Sequence, residues 1–184
     1  MTNFEFKARL RNHTAIQQAL AQHDIPRAAK IRQTDTYFNA PRGRLKLRNI
    51  DDEAAQLIFY QRPDHAEIKR SDYLMSPVDS PPALREVLSA AYGIRTVVEK
   101  TRELYWLPRR FGDHAGSAGP DFIRLHIDTV EGLGDFLEIE VIVQKGEPPE
   151  IAEREARAWL RDLGIVREDL LSHSYADLLE ARVL

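Results

Sequence analysis

Arg124-Leu125-His126-Ile127-Asp128, followed after Gly132-Leu133-Gly134 by Leu137-Glu138-Ile139-Glu140-Val141, alternates ionic with apolar side chains at every step. A strand sends successive side chains to opposite faces, so each run gathers its ionic groups on one face and its apolar groups on the other. The pattern recurs in Phe4-Glu5-Phe6-Lys7-Ala8-Arg9 and in Arg44-Leu45-Lys46-Leu47-Arg48. One such run is also what an antiparallel strand with a solvated face would show. Several together say more. Joined in one sheet, they place Lys and Arg from at least three strands among carboxylates from at least three, which is costly unless a ligand and a metal bridge them. Basic groups cradle phosphate oxygens, and carboxylates hold hard cations such as Mg2+ or Mn2+. The predicted arrangement is a β-barrel with a polar interior. The rival is a barrel with its charged face outside, which predicts neither ligand binding nor metal dependence.

The chain has 184 residues, 43% hydrophobic and 30% charged, which suits one compact domain with a substantial core. A formal net charge of -3 argues against a general nucleic-acid binder, since such proteins carry a basic excess on one face. Without cysteine there is no disulfide framework, thiolate metal site or thiol nucleophile, so any metal rests on oxygen or histidine ligands. The N-terminal stretch has no apolar signal-like region, and no stretch approaches the ~18 apolar residues of a membrane span. A cytoplasmic protein without membrane partners is expected.

Outward from the charged runs, Phe4 to Leu10 is a first strand, and Ala15, Ile16, Ala19 and Leu20 share one face of a helix fading at Asp24-Ile25-Pro26. Arg32 to Phe38, Arg44 to Ile50, Gln56 to Gln61 and Lys69 to Met75 form a strand meander. Pro81-Pro82 opens a helix ending near Gly93. Strands follow at Thr96 to Trp106, Phe122 to Val130 and Leu137 to Val143. Pro108 to Pro120, glycine-rich, is a mobile connection or lid. A helix after Pro148-Pro149 carries Ile151, Ala156, Trp159 and Leu163 at helical spacing, and a closing helix starts at Asp169. Lys100 and Arg102 share one face of their strand and are phosphate candidates. Lys69 and Arg70 are weaker ones, and His126 supports its neighbours. His173 and Tyr175 on the closing helix either cap the barrel or pack in its core.

These segments resemble the CYTH superfamily of triphosphate tunnel metalloenzymes, which includes class IV adenylyl cyclases and thiamine triphosphatases. The resemblance covers nearly the whole chain. It rests on Asn3-Phe4-Glu5-Phe6-Lys7, Gln33-Thr34-Asp35-Thr36-Tyr37-Phe38, Gly43 to Arg48, and Arg124 through Gly132-Leu133-Gly134 to Glu140. It implies an α+β fold over residues 1–184, a closed eight-stranded antiparallel barrel with helices packed outside. It further implies that Glu5 and Lys7 are catalytic, that Lys7, Lys46, Arg48, Arg62 and Arg124, joined by Lys100 and Arg102, bind the triphosphate, and that Glu5, Asp128, Glu138 and Glu140 hold Mg2+ or Mn2+. Asn3 stands where the family's Glu-x-Glu-x-Lys signature has its first glutamate and has no charge to offer a cation. A tunnel lysine expected near Gln61 is absent, and Tyr60 or Arg62 would fill its place. The implied activity is that of a class IV adenylyl cyclase, ATP to cyclic AMP and pyrophosphate. Triphosphatase action on inorganic, thiamine or nucleoside triphosphate, or triphosphate binding without turnover, are the alternatives. The expected partner is the triphosphate substrate, not nucleic acid, with a homodimer left open.

Overall fold

The structure, a computed structural model describing residues 1–183, contains eight strands and four α-helices. In chain order they are β1 (Thr2–Arg9), α1 (His13–Gln22), β2 (Arg27–Phe38), β3 (Arg44–Ile50), β4 (Ala54–Gln61), β5 (Lys69–Pro77), α2 (Pro81–Tyr92), β6 (Ile94–Leu107), β7 (Ile123–Val130), β8 (Gly134–Ile142), α3 (Pro149–Asp162) and α4 (Tyr175–Val183). The strands close in the order β1-β5-β4-β3-β2-β6-β7-β8, every pair antiparallel. This is the α+β barrel expected from the sequence. No described helix is long and apolar enough to cross a membrane.

The alternation resolves inside out. Phe6, Ile123, Leu125, Ile127, Leu137, Ile139 and Val141 face outward and are buried with Ile16 and Leu20 of α1 and Ala152, Ala156 and Trp159 of α3. The hydrophobic core therefore lies between barrel and helices, leaving the barrel interior to the ionic positions. A smaller cluster of Phe38, Leu47 and Ala55 is packed against Leu84 and Leu88 of α2.

Among the described residues, one helix, α4, departs from the outer layer. Tyr175 and Ala176 of α4 are buried with Tyr37, Val98, Val130, Leu133 and Phe136, which sit where β2 and β7 end and β6 and β8 begin. That end of the barrel is thus filled by an apolar stopper. Arg95 bonds Asp177 and Glu180, and Arg44 bonds Asp177, tying α4 across the rim. The opposite end holds the β3–β4 turn, the end of β5 and the start of β7.

Three expectations need correction. The closing helix starts at Tyr175, not Asp169: Arg167–Asp169 is a 3-10 turn, and Leu170 and Leu171 pair with β1 at Ala8 and Lys7. β2 starts five residues before Arg32, because the long β6 offers partners as far as Arg27. The segment after β6 is no free lid. Buried Arg109 pairs with Glu147, and one Glu155 oxygen accepts the backbone N–H groups of Arg110 and Phe111 at 2.7 Å, strapping this segment to α3.

Candidate functional site

Inward-facing positions of all eight strands enclose a cavity of about 130 Å3. Its wall carries seven basic side chains, Lys7, Lys46, Arg48, Arg62, Lys100, Arg102 and Arg124, and three carboxylates, Glu5, Glu138 and Glu140. Pleating explains the grouping: Lys46 and Arg48 are two apart on β3, Lys100 and Arg102 on β6, Glu138 and Glu140 on β8. The β1–β8 register sets Lys7 against Glu138 and Glu5 against Glu140.

Two aspartates stand behind the basic residues. Asp35 accepts from Arg48 at 2.7 and 2.8 Å and from Lys46 at 2.9 Å. Burial raises its pKa, but the Arg48 and Lys46 charges outweigh that and hold it well below the carboxylate range. Asp128 takes both prongs of Arg102 at 2.6 Å and the Tyr175 hydroxyl at 2.9 Å. There too burial is overcome, by Arg102 and Lys100, and the carboxyl stays ionised. Lys100 has the reverse balance. Burial and then the Arg102 charge push it down to about 7, against the pull of Asp128 and Asp35.

The carboxylates on β1 and β8 are more crowded. Lys7 donates to Glu138 at 2.7 Å, Arg102 donates to it at 2.8 Å, and Arg62 donates to Glu5 at 2.7 Å. Glu5 is nevertheless raised, first by burial and then by Glu138 and Glu140 against Arg62 and Lys7. His126, Glu138 and Glu140 offer ligand atoms within 4.8 Å of one another. Burial, then Arg102, lowers the His126 pKa, favouring neutral imidazole. The buried Asn3 Oδ1 lines the same cavity without a hydrogen-bond partner. Crowded carboxylates with an unpaired amide oxygen suit a hard divalent cation. The residues present fit such a metal.

Of the residues singled out in the sequence, Glu5, Lys7, Lys46, Arg48, Arg62, Lys100, Arg102, Arg124, Glu138 and Glu140 line this one cavity. Asp128 lies behind it, its oxygens engaged by Arg102 and Tyr175. Tyr60 and Arg62, the two residues expected to fill the place of the absent lysine, both line the cavity. Lys69 is buried, but its ammonium is spent on the Leu171 and Ser172 carbonyls, and Arg70 pairs with Asp72 outside. Tyr175 caps the interior, whereas His173 is exposed. Sequence reasoning assigned no role to Asp35, Tyr37 or Tyr73. Asp35 was visible in the Gln33–Phe38 segment, but its three basic partners arrive from β3 and β6.

The CYTH domain family model matches residues 1–175. A comparison with curated protein sequences finds no match. Among solved structures, a Pyrococcus horikoshii protein is 24% identical with a TM-score of 0.78, covering 96% of this chain and 98% of that one. A candidate adenylate cyclase from Vibrio parahaemolyticus is 17% identical with a TM-score of 0.72, covering 98% of each chain. A candidate adenylyl cyclase from Hippeastrum, described as having a dominant triphosphatase activity, is 16% identical with a TM-score of 0.61, covering 98% of this chain and 95% of that one. At these identities the likeness is one of fold.

Proposed function

The chain belongs to the CYTH domain family, and from that membership we propose that it is a metal-dependent enzyme that draws a triphosphate into the barrel and cleaves one of its phosphoanhydride bonds. The observation that carries this is the excess of seven basic side chains over three carboxylates around one cavity. Such a wall suits a polyanion rather than a neutral ligand.

In this reading Lys46, Arg48, Lys100, Arg102, Arg124 and Lys7 contact phosphate oxygens, while Asp35 and Asp128 hold the basic groups in place from behind. Glu5, Glu138 and Glu140, with the Asn3 amide oxygen, would hold Mg2+ or Mn2+. The metal, when bound, would offset negative charge on the phosphate oxygens as a Lewis acid. Fixed basic groups aimed at the developing charge do the same without reorganising, and little covalent chemistry is left to the protein.

Class IV adenylyl cyclase chemistry comes first, because the Arg124 to Glu140 segment with its Gly-Leu-Gly turn resembles that branch. The ribose 3'-oxygen forms a bond to the α-phosphorus, the bond from that phosphorus to pyrophosphate breaks, and the hydroxyl proton leaves. Hydrolysis is the second reading: the same basic wall and carboxylates would serve a water that forms a bond to the terminal phosphorus as its bond to the diphosphate breaks, giving diphosphate and phosphate.

Incubating the protein with ATP, thiamine triphosphate and inorganic triphosphate, with Mg2+ or Mn2+, and separating the products tests this directly. Cyclic AMP with pyrophosphate supports the cyclase, and free phosphate supports the hydrolase. Binding without product under both metals would reduce the protein to a triphosphate-binding module.

A further inference from the structure

The basic residues of the cavity differ in what holds them. Lys46 and Arg48 rest on Asp35, and Lys100 and Arg102 on Asp128, the two aspartates behind the wall. Arg62 has no such anchor. It lies one residue beyond the end of β4, its side chain is 3% exposed, and among the described residues its one ion pair runs from Nη1 to Glu5 Oε1 at 2.7 Å. Its Nε is buried without a partner. Glu5 is thus occupied by a guanidinium that neither loses its proton nor ligates a metal. Asn3, two positions away on β1 and lining the same cavity, is neutral, so Glu5 is the carboxylate that β1 offers to Arg62 and to a metal alike.

We infer that Arg62 is a switch: it holds Glu5 in the empty protein, and a divalent cation arriving with the triphosphate displaces it, so that the freed guanidinium turns to a phosphate oxygen. This rests on the triphosphate and metal reading above and adds a residue which that reading leaves out of the phosphate contacts. Repulsion drives the exchange. A cation bound at Glu5 lies close to the guanidinium, and burial away from water leaves the two like charges poorly screened. The displaced side chain has a destination, because the forked donors of arginine match phosphate oxygens and Arg62 lines the same cavity as Lys7 and Lys46. Metal alone therefore binds weakly, having to evict Arg62 with nothing to receive it. Metal and triphosphate together bind cooperatively, since the second anion takes the cation that the first gives up.

Two titrations test this on the wild type and on Arg62→Met. Mn2+ alone is followed by the electron paramagnetic resonance of the free ion, and imidotriphosphate, whose bridging nitrogens resist cleavage, by calorimetry in EDTA and in saturating Mn2+. Arg62→Met should bind Mn2+ alone about tenfold more tightly, bind imidotriphosphate in EDTA within about threefold of the wild type, and bind it in Mn2+ about 10- to 100-fold more weakly. Glu5→Gln, alone and with Arg62→Met, leaves no buried carboxylate unpaired and serves if Arg62→Met does not fold. Glu5→Gln frees Arg62 without metal, so it should bind imidotriphosphate in EDTA about tenfold more tightly, and the double variant should lose that gain. Equal weakening by Arg62→Met in EDTA and in Mn2+, weakening in neither, or a Glu5→Gln gain that survives in the double variant overturns the switch alone. Failure of the wild type to bind imidotriphosphate under either condition overturns the triphosphate reading and the switch with it.

Discussion

Lys100 is the residue whose protonation the site controls most visibly. Burial and Arg102 hold its ammonium down to about 7, and an arriving polyphosphate would restore the charged form. Above pH 7 binding must therefore take up a proton, and affinity should fall by up to about tenfold per pH unit. Calorimetry at pH 8 in buffers of different ionisation enthalpy should show this uptake in the wild type and lose it in Lys100→Met; no uptake would remove Lys100 from the phosphate contacts. Lys46→Ala and Arg48→Ala should each weaken triphosphate binding by about 10- to 100-fold, as expected for charge-assisted hydrogen bonds. Unchanged affinity in both would remove β3 from the binding wall. The ionic alternation made these residues legible in the sequence, since each lies two positions from a like-charged neighbour. Asp35 was harder to recognise: it sits between threonines, and only the β2–β3 and β2–β6 pairings show that it balances Lys46, Arg48 and Lys100.

Among the elements, α4 shows how a boundary can be misplaced while the element itself is right. The apolar residues after Asp169 suggest helix, yet Leu170 and Leu171 pair with β1 and the helix starts only at Tyr175. A local signal marks that start. The Ser174 hydroxyl and backbone N–H both donate to Asp177, whose own N–H returns to the Ser174 oxygen at 3.3 Å, forming a capping box. Ser174→Ala should destabilise the protein by about 1 kcal/mol in urea denaturation. The segment after β6 misled for a different reason. Its glycines suggest mobility, but Arg109 and Glu155 are partners across a long sequence separation, and both are buried. Glu155→Ala should cost about 3 kcal/mol, because it strips a buried guanidinium of part of its compensation and frees the Arg110 and Phe111 amides. A loss below about 0.5 kcal/mol would mean that the strap contributes little.

At the scale of the whole molecule, the ionic interior links stability to pH on both flanks. Asp35, Asp128 and Glu138 titrate below their ordinary values in the folded chain. Their contribution is complete above the carboxylate range and is lost as pH falls through it, so thermal stability should drop steeply below about pH 4. Lys100 acts in the same sense in a higher pH window. The unfolded chain binds its proton more tightly than the fold does, so stability gains as pH rises from about 7 towards 10. A melting temperature flat from pH 3 to pH 6 would contradict the acid limb. The polar interior of the barrel was legible because four charged alternations pointed to a shared face, whereas its closure with eight strands was implied by the family resemblance. Its closed end was not, because the stopper comes from a helix whose residues alone resemble ordinary core. That stopper also imposes a queue. With the α4 end filled by that cluster, a product formed deepest should leave after the product nearer the opposite end. Under the cyclase reading, with the phosphates innermost, the cyclic nucleotide would leave first and pyrophosphate last, so product-inhibition kinetics should show pyrophosphate competing with the substrate and the cyclic nucleotide inhibiting noncompetitively.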